Sequence, residues 1–418
     1  MKHTHPLRHA GALCWLGLLA PPLLAQDRLS TRLAARADQI GAGVQVSLCV
    51  QDAATGEVLF ARQAERPLLP ASNQKVLTTA AALTLLGPGF AHETRLLGEG
   101  PPVAGTLRGD LWLVGGGDPS LGRETLDGWA RALRTAGVRR VTGGVVVDAR
   151  VFEELSAHPD WERGDLSQSW GARVAGLNLD ENCQGEAPVA DPALAAGQAL
   201  RARLAGRGVV VAGRVRRPAP GEQPPAQRLA SHSAPLPDTL RITNKRSQNL
   251  FAECLLKTVG RARRGQGSWE AGAAEVEAFV LGLGVAPGEV HVADGSGLSR
   301  RNRVSARAVA AVLRHALNGE HGAVFRDSLA APGQAGTLAR RLHDLPRGAR
   351  LAAKTGTLTG VRALSGELTV GGRRAVFAFL LEGAEGGRDD LDDLVRILAA
   401  ELPGSGPANG IVVGVTNR

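Results

Sequence analysis

Two of the few lysines of this chain stand beside residues that could take part in acyl transfer. Of 49 basic residues only five are lysines, at positions 2, 75, 245, 257 and 354. Lys75 lies three residues after Ser72, and Lys354 is followed directly by Thr355 and Gly356. A buried lysine can lose its proton and then act as a base, whereas an arginine essentially cannot. The use of lysine at these places in an arginine-rich chain indicates a serine acyl-transfer site.

Ser72 and Lys75 form an S-x-x-K pair at the predicted start of an apolar helix. Residues three apart on a helix share a face, so the Lys75 amine can reach the Ser72 hydroxyl and serve as its base. The helix N-terminus favours the negative charge that develops on an attacked carbonyl. Deprotonation of an ordinary lysine at pH 7 costs roughly 4–5 kcal/mol, which the surroundings must supply. Lys354, as a second cation, is suited to supply part of it.

Ser247 and Asn249 form a second pair, two residues apart, and share a face if the chain is extended there. The hydroxyl could pass a proton between Lys75 and a leaving amine, and the amide could orient Lys75 and the acyl amide of the substrate. The structural alternative is that Ser247 caps the helix that follows it.

Lys354, Thr355 and Gly356 lie on a predicted strand whose edge an extended peptide can join. Gly356 would let the substrate backbone pass close, and Thr357 could donate its backbone N–H to the oxyanion. Lys354 and the threonine hydroxyls would hold a carboxylate. Each motif alone is a weak signal. The order S-x-x-K, S-x-N, K-T-G, however, is typical of penicillin-binding proteins and related β-lactamases.

Beyond these motifs the chain closely resembles the class C low-molecular-mass penicillin-binding proteins, the D-alanyl-D-alanine carboxypeptidase/endopeptidases of the peptidase S13 type. The resemblance covers about residues 27–402 and rests on the segments 55–59 (TGEVL), 70–75 (PASNQK), 115–119 (GGGDP), 244–250 (NKRSQNL), 294–299 (DGSGLS), 336–338 (GTL) and 353–357 (AKTGT). It implies a role for each motif residue: Ser72 as the acylated nucleophile, Lys75 as its base, Ser247 as proton relay, Asn249 as positioning amide, and Lys354, Thr355 and Thr357 at the carboxylate of D-Ala-D-Ala. Gly356 and Asp148 are further substrate-binding residues.

The resemblance also implies the fold and the partners. We expect an α/β fold, namely a penicillin-binding-protein/serine β-lactamase-like transpeptidase domain with an antiparallel sheet flanked by helices and an inserted smaller α+β module. The expected substrates are peptidoglycan stem peptides, the expected covalent inhibitors are β-lactam antibiotics, and neither metal nor cofactor is implied. Two alternatives stay open: a serine β-lactamase, and a non-catalytic peptidoglycan-binding protein of the same fold.

The predicted division of the chain has five parts. Residues 1–25 are a signal peptide, 26–92 and 236–405 form the split catalytic domain, 93–235 are the inserted module, and 406–418 are a tail. Two features depart from the family. The stretch between Ser72 and Ser247 is short, by loss of sequence after Asn182, so a second nested domain is in doubt. Gly366 and Glu367 replace a Gly-Tyr pair that the family often shows.

Composition bounds the remaining function classes. A chain of 418 residues with 44% hydrophobic and 21% charged residues is typical of a globular protein of two or three domains. The apolar stretch 11–24, after Lys2 and Arg8, predicts export rather than a membrane span. Removal of residues 1–25 lowers the net charge from +9 to +7. This charge suits an anionic envelope polymer or reflects scattered surface arginines, and no basic stretch carries the aromatic residues of a nucleic-acid site.

The periodicity predicts helices at 27–39, 72–86, 124–136, 192–205, 245–258, 268–282, 305–317 and 389–401, and strands at 43–50, 57–62, 351–354, 362–370 and 374–381. Three cysteines remain after the signal, and Cys49 and Cys254 are expected to be buried. Ser296 is predicted to lie in a turn and not to act as a nucleophile. The glycines at 115–117 lack the following Gly-Lys-Ser/Thr of a phosphate loop, and the aspartates at 389–393 suit a solvated helix start better than a metal site.

Overall fold

The computed structural model describes residues 21–154 and 156–402, with side chains from residue 27 onward. Most of the predicted signal peptide and the whole predicted tail lie outside the described residues. Residues 21–25 form the start of the first helix, which continues into the segment predicted to be helical. No helix in the described part of the chain is both long enough and apolar enough to cross a membrane.

Ten helices are present in the described residues, and they include every helix that the periodicity predicted. They are α1 (Pro21–Asp38), α2 (Gln74–Leu86), α3 (Arg123–Thr135), α4 (Pro192–Gly206), α5 (Leu236–Lys245), α6 (Asn249–Arg264), α7 (Trp269–Leu281), α8 (Ala306–Asn318), α9 (Gly322–Ser328) and α10 (Arg388–Glu401). Helices α5 and α9 were not predicted.

Seventeen strands are present in the same described residues. They are β1 (Gln45–Asp52), β2 (Val58–Arg62), β3 (Ala91–Gly98), β4 (Thr106–Leu107), β5 (Leu111–Val114), β6 (Arg140–Val141), β7 (Val145–Asp148), β8 (Cys183–Gln184), β9 (Ala187–Pro188), β10 (Val210–Val211), β11 (Val215–Arg216), β12 (Gln227–Pro235), β13 (Val290–His291), β14 (Arg303–Val304), β15 (Arg350–Leu358), β16 (Val361–Val370) and β17 (Arg373–Glu382).

The main sheet is antiparallel, with the strand order β15-β16-β17-β1-β2. It is covered on both faces. Phe377 and Phe379 pack on the side of α1 and α10, whereas Ala378 and Leu380 pack on the side of α2, α6 and α8. Strand β1 was predicted to be half-buried, but six of its eight residues are buried because helices lie on both sides of it. Cys49 and Cys254 are buried, as expected, and both are free thiols.

The segment between β3 and β12 forms a second region with its own sheet, β11-β7-β5-β3-β12, and a small parallel sheet, β10-β6-β4. Helices α3 and α4 supply the core of this region. The chain enters and leaves it at one place, since Ala91 is paired with Pro235 and the N–H of Leu236 donates to the carbonyl of Phe90. This arrangement is compatible with an insertion near 93–235, a boundary that stays a prediction.

One part of the inserted segment returns to the helices of the main domain. Phe152, Trp161 and Val174 belong to the same buried cluster as α2, α6 and α7. The two regions therefore share a core at this place, and the irregular chain around residues 150–178 lies against the main domain.

The helix predicted over 245–258 is interrupted. α5 ends at Lys245 and α6 begins at Asn249, with the side chain of Gln248 accepting the N–H of Leu250 as the N-cap. Ser247 has a φ of +58°, and a left-handed residue cannot continue a right-handed helix. The break frees Ser247 from both helices.

Candidate active site

Ser72 is held in a tight turn that leads into α2. Residues Ala71–Asn73 form one 3₁₀ turn, and α2 starts at Gln74. Ser72 thus lies just before the helix, and not within its first turn as predicted. Ala71 has a φ of +47°, a strained value for a residue with a side chain. Gly297 packs against this turn, and any Cβ at position 297 would overlap the carbonyl oxygen of Ala71.

The Lys75 amine lies at the centre of the site and is fully buried. Its Nζ is 3.0 Å from the Ser72 hydroxyl, 2.6 Å from Oδ1 of Asn249 and 2.8 Å from the carbonyl oxygen of Ser296. The three partners come from the start of α2, the start of α6 and the loop before β14. The structure therefore brings together the first two motifs, which lie about 170 residues apart in sequence.

The Lys354 amine is also fully buried and occupies the next position along the site. It donates to the hydroxyl of Ser247 over 2.8 Å and to the carbonyl of Thr355 over 2.8 Å. Ser247 does not cap α6, since Gln248 is the N-cap. The Ser247 hydroxyl instead accepts a hydrogen bond from Lys354. Lys75 and Lys354 thus each contact one of the two motif serines.

Strand β15 forms the edge of the main sheet beside Ser72, and its free side faces the site. Ala353 exchanges both backbone hydrogen bonds with Ala330, on the side of β15 away from β16. Backbone groups in a strand alternate in direction, and the β15–β16 register is continuous, so the N–H groups of Thr355 and Thr357 point to that same free side. The N–H of Thr357 therefore has the direction that an oxyanion donor on this strand requires.

Gly356 lets β15 approach the Ser72 turn closely. A Cβ at this position would lie 2.9 Å from Nδ2 of Asn73 and 2.9 Å from the carbonyl oxygen of Pro70. Asn73 in turn donates to the carbonyl of Lys354 and accepts from the hydroxyl of Ser365. The sequence reading assigned Gly356 to the passage of substrate, but the structure shows a second reason, the packing of strand against turn.

Burial changes the protonation of both lysines. It lowers the pKa of Lys75 to about 7, although the carboxyl groups of Glu253 and Asp294 act in the opposite direction. Burial, and after it the nearby Lys75 amine, lowers the pKa of Lys354 well below its ordinary value. A lysine with a pKa near 7 is deprotonated in a substantial fraction of molecules at neutral pH, as a general base requires.

An open cleft of about 460 Å³ lies over these groups. Its walls are formed by Ser72, Asp165, Trp170, Ser247, Asn249, Gly297, Leu298, Thr357, Leu358, Thr359 and Arg362. Lys75, Lys354, Thr355 and Gly356 are buried behind these walls.

Asp165, Trp170 and Arg362 are among the cleft residues that the sequence reading missed. The backbone carbonyl of Trp170 accepts from Nδ2 of Asn249 over 2.9 Å, and the Trp170 indole donates to Asp165. The inserted region therefore contributes one wall of the cleft. No periodicity or motif marks Asp165 or Trp170 in the sequence, because the segment folds into two short 3₁₀ turns.

Asp148 is not among the cleft residues. It ends β7, and its carboxylate is bound by the N–H and the guanidinium of Arg150. Burial acts against its ionisation, but the ion pair with Arg150 prevails and lowers the pKa of Asp148. The structure thus gives this carboxylate a partner within its own region, and the substrate contact implied by the resemblance stays a prediction.

One residue and one acidic cluster that the sequence reading set aside have structural roles. The Ser296 hydroxyl is buried and accepts the N–H of Leu298, so only its carbonyl reaches Lys75. The aspartates at the start of α10 form ion pairs, with Arg36 bound to Asp390 and Asp393. Within residues 27–154 and 156–402 no group of three or more His, Cys, Asp and Glu side chains could hold a metal ion.

A family model matches most of this chain. The model of the D-Ala-D-Ala carboxypeptidase 3 (S13) family matches residues 29–187 and 184–401. The chain belongs to this family. It is a serine-type D-Ala-D-Ala carboxypeptidase of the hydrolase class, as the sequence reading predicted. The two matched segments meet at 184–187, beside the place after Asn182 where the sequence reading inferred a loss, and the structure has only the short hairpin β8–β9 there.

Individual relatives support the same assignment. The chain is 30% identical to the D-alanyl-D-alanine carboxypeptidase of Actinomadura sp. (strain R39), over 95% of this chain and 91% of the relative. The crystal structure of penicillin binding protein 4 from Haemophilus influenzae superposes with a TM-score of 0.79 at 24% identity, covering 89% of this chain and 99% of that protein. A structure of the same H. influenzae protein in complex with a β-lactam superposes with a TM-score of 0.73 over the same shares. These structural matches confirm the predicted fold class.

Proposed function

We propose that the protein cleaves the terminal D-Ala, or a D-Ala-linked cross-link, of peptidoglycan through an acyl-enzyme on Ser72. The Ser72 oxygen attacks the carbonyl carbon of the penultimate D-Ala, and its proton passes to Lys75. The peptide C–N bond then breaks and leaves an ester on Ser72. Water hydrolyses this ester and restores the free hydroxyl.

The observation that carries the proposal is the set of partners around the Lys75 amine. A neutral amine has two N–H groups and one lone pair. The carbonyl oxygens of Asn249 and Ser296 can accept the two N–H groups, at 2.6 and 2.8 Å. The lone pair is then left for the third neighbour, the Ser72 hydroxyl at 3.0 Å, which becomes the donor. This is the arrangement that a general base needs before it takes a proton.

Lys354 and Ser247 are placed to protonate the leaving amine. The leaving nitrogen needs a proton when the C–N bond breaks, and the Ser247 hydroxyl lines the cleft with Lys354 behind it. We assign Ser247 the role of proton relay between the lysines and this nitrogen. The backbone N–H groups of Ser72 and Thr357 are the proposed donors to the oxyanion, which prefers fixed donors that need no rearrangement.

The terminal carboxylate of the substrate would lie along β15. Thr357 is exposed on the cleft, whereas Thr355 is nearly buried and Lys354 is fully buried. Lys354 therefore acts on the carboxylate mainly through the Ser247 hydroxyl, to which its amine donates, with Thr355 and Thr357 as the polar contacts at the strand edge.

Two further properties belong to the same proposal. We infer that β-lactam antibiotics acylate Ser72, in accord with the β-lactam complex of the H. influenzae protein. We also infer export to the periplasm or cell envelope, where peptidoglycan is found. This is supported by the basic and apolar residues at the N-terminus.

A labelling experiment tests the proposal. The purified mature protein is incubated with a labelled penicillin, and the adduct is located by mass spectrometry after digestion. We expect a stable adduct on Ser72 that is absent from Ser72→Ala and retained in Ser296→Ala, whose hydroxyl is buried. Absence of label, or equal labelling of Ser72→Ala, contradicts the proposal. Rapid penicillin turnover without a lasting adduct would favour the β-lactamase alternative.

A further inference from the structure

A buried carboxyl group that the mechanism above does not use lies behind the Lys75 amine. Glu253 is on α6, four residues after Asn249, so the two side chains lie on the same face one turn apart. Its side chain is fully buried. A buried acid is costly unless its polar atoms have partners, and these partners indicate what the group does.

The partners of Glu253 are three N–H groups. One carboxyl oxygen accepts the backbone N–H of Ser296 over 2.8 Å, and the other accepts the backbone N–H of Gly295 over 3.0 Å and the indole N–H of Trp269 over 2.8 Å. The carbonyl of Ser296 is the group that contacts Lys75. Glu253 therefore fixes Ser296, and the carbonyl of Ser296 in turn accepts a hydrogen bond from the Lys75 amine.

The charge of Glu253 is as relevant as its hydrogen bonds. Burial, and after it the nearby Asp294, raises the pKa of Glu253, whereas the three N–H donors favour the ionised form. Its charge in turn raises the pKa of Lys75 against the larger effect of burial. When Ser72 transfers its proton, a buried ammonium forms on Lys75, and an anion fixed beside it compensates the cost of that charge.

Other charged groups surround this pair and have separate partners. Asp294 accepts N–H groups from Trp161, Gly297, Ser299 and Asn302, and it faces His158 on the far side. Lys354 faces Lys75 from β15. On α6, the Cys254 thiol adjoins Glu253, and Lys257 lies one turn further on and pairs with Glu153 of the inserted region.

We propose that Glu253 is a positioning residue for Lys75: it fixes the Ser296 carbonyl against the amine and supplies the negative charge that compensates the ammonium formed during acylation. The inference rests on the proposed function, since it assigns a role in the acylation of Ser72. Glu253 is thus a fourth functional position beside the three motifs. It lies four residues after Asn249, on the same face of α6.

The test is the rate of penicillin acylation as a function of pH, measured on the full mature chain. Acylation requires neutral Lys75, so the rate should rise with pH through the pKa of this amine. Glu253→Gln removes the anion that raises this pKa. We expect the acid limb to move to lower pH and the plateau to fall about tenfold, part of the usual contribution of a general base.

Two variants separate charge from geometry. Glu253→Asp keeps the charge with a shorter side chain, and we expect its acid limb to stay at the wild-type pH even if the rate falls. Thr78→Val loosens the same loop without any change of charge, because the Thr78 hydroxyl donates to the carbonyl of Gly295 over 2.7 Å. Its rate should fall while the limb stays in place. A limb that shifts equally in Thr78→Val overturns the role of the charge.

The outcomes distinguish this inference from the proposed function. If the wild type is not acylated at Ser72, the proposed function fails. If the wild type is acylated and Glu253→Gln has the same limb and plateau, only the role of Glu253 is refuted. Should Glu253→Gln not fold, Trp269→Phe replaces it. This variant removes one donor from the carboxylate, raises the pKa of Glu253, and is expected to shift the limb in the same direction. An unchanged limb in a folded Trp269→Phe also refutes the role.

Discussion

The amine of Lys354 and the hydroxyl of Ser247 lie 2.8 Å apart although 107 residues separate them in the chain. The same pairing of a buried lysine with a serine occurs between Lys75 and Ser72 at 3.0 Å. The two pairs lie side by side, and the charge of one amine lowers the pKa of the other. Two lysines so close cannot both be protonated without a large cost, so the arrangement keeps one proton acceptor available.

Replacement of Lys75 by methionine should abolish the base and leave a side chain of similar length. We expect Lys75→Met to lower the rate of Ser72 acylation by about 10²–10⁴, the usual contribution of a general base. Stopped-flow measurement of penicillin acylation gives this rate, and thermal unfolding shows whether the variant is folded.

The matched control for that variant is Lys245→Met. Lys245 ends α5, is partly exposed and lies 3.9 Å from Asp327, outside the cleft. Its replacement should change the acylation rate by less than about twofold, as expected of a surface side chain. Acylation of Lys75→Met at the wild-type rate would exclude Lys75 as the base.

Removal of the Ser247 hydroxyl should impair activity without a loss of fold. Ser247 adopts a left-handed φ of +58°, which glycine tolerates better than alanine by roughly 1–2 kcal/mol. We expect Ser247→Ala and Ser247→Gly to lose hydrolysis of a D-Ala-D-Ala peptide to the same extent, while Ser247→Gly has the higher free energy of unfolding. Peptide hydrolysis assays and urea unfolding measure the two effects. A difference in activity that follows the difference in stability would show that Ser247 acts through the fold alone.

The site residues that could be predicted from the sequence are those that belong to a short motif, in which the partners lie only a few residues apart. The i, i+3 relation of Ser72 and Lys75 follows from a helix, and the structure places them in contact. The strands β16 and β17 were predicted from their strand periodicity, and both are largely buried in the structure. Glu253 could also have been found, since it lies four residues after Asn249 on a predicted helix.

The features of the site that could not be predicted depend on contacts between distant parts of the chain. The helix predicted over 245–258 did not include the break at Ser247 between α5 and α6, where Lys354 binds the serine in a left-handed turn. Asp165 and Trp170 lie on irregular chain that is positioned by burial of Phe152, Trp161 and Val174 in the main core. No local pattern in the sequence encodes that packing.

A side chain at position 356 should separate β15 from the nucleophile turn. The Cβ of Gly356→Ala would lie 2.9 Å from both Asn73 and the carbonyl of Pro70, so backbone must move. We expect a loss of about 1–3 kcal/mol in the free energy of unfolding, as for other overpacked sites, together with slower acylation. Urea unfolding and penicillin labelling measure both. Gly89→Ala is the control, because a Cβ there meets open space and should change neither quantity. A stable and active Gly356→Ala would show that the strand does not need this close contact.

The acylation rate of the wild type should depend on pH in the direction set by Lys75. Burial lowers the pKa of this amine to about 7, so the neutral base predominates above that pH and the ammonium below it. We therefore expect the second-order rate constant for penicillin acylation to rise through pH 7 and then level off, falling about tenfold per unit on the acid side. In Lys75→Met this acid limb should disappear, because no amine remains to titrate at the nucleophile. A wild-type profile that is flat between pH 5 and 9, or a limb that persists in Lys75→Met, would mean that another group removes the proton from Ser72.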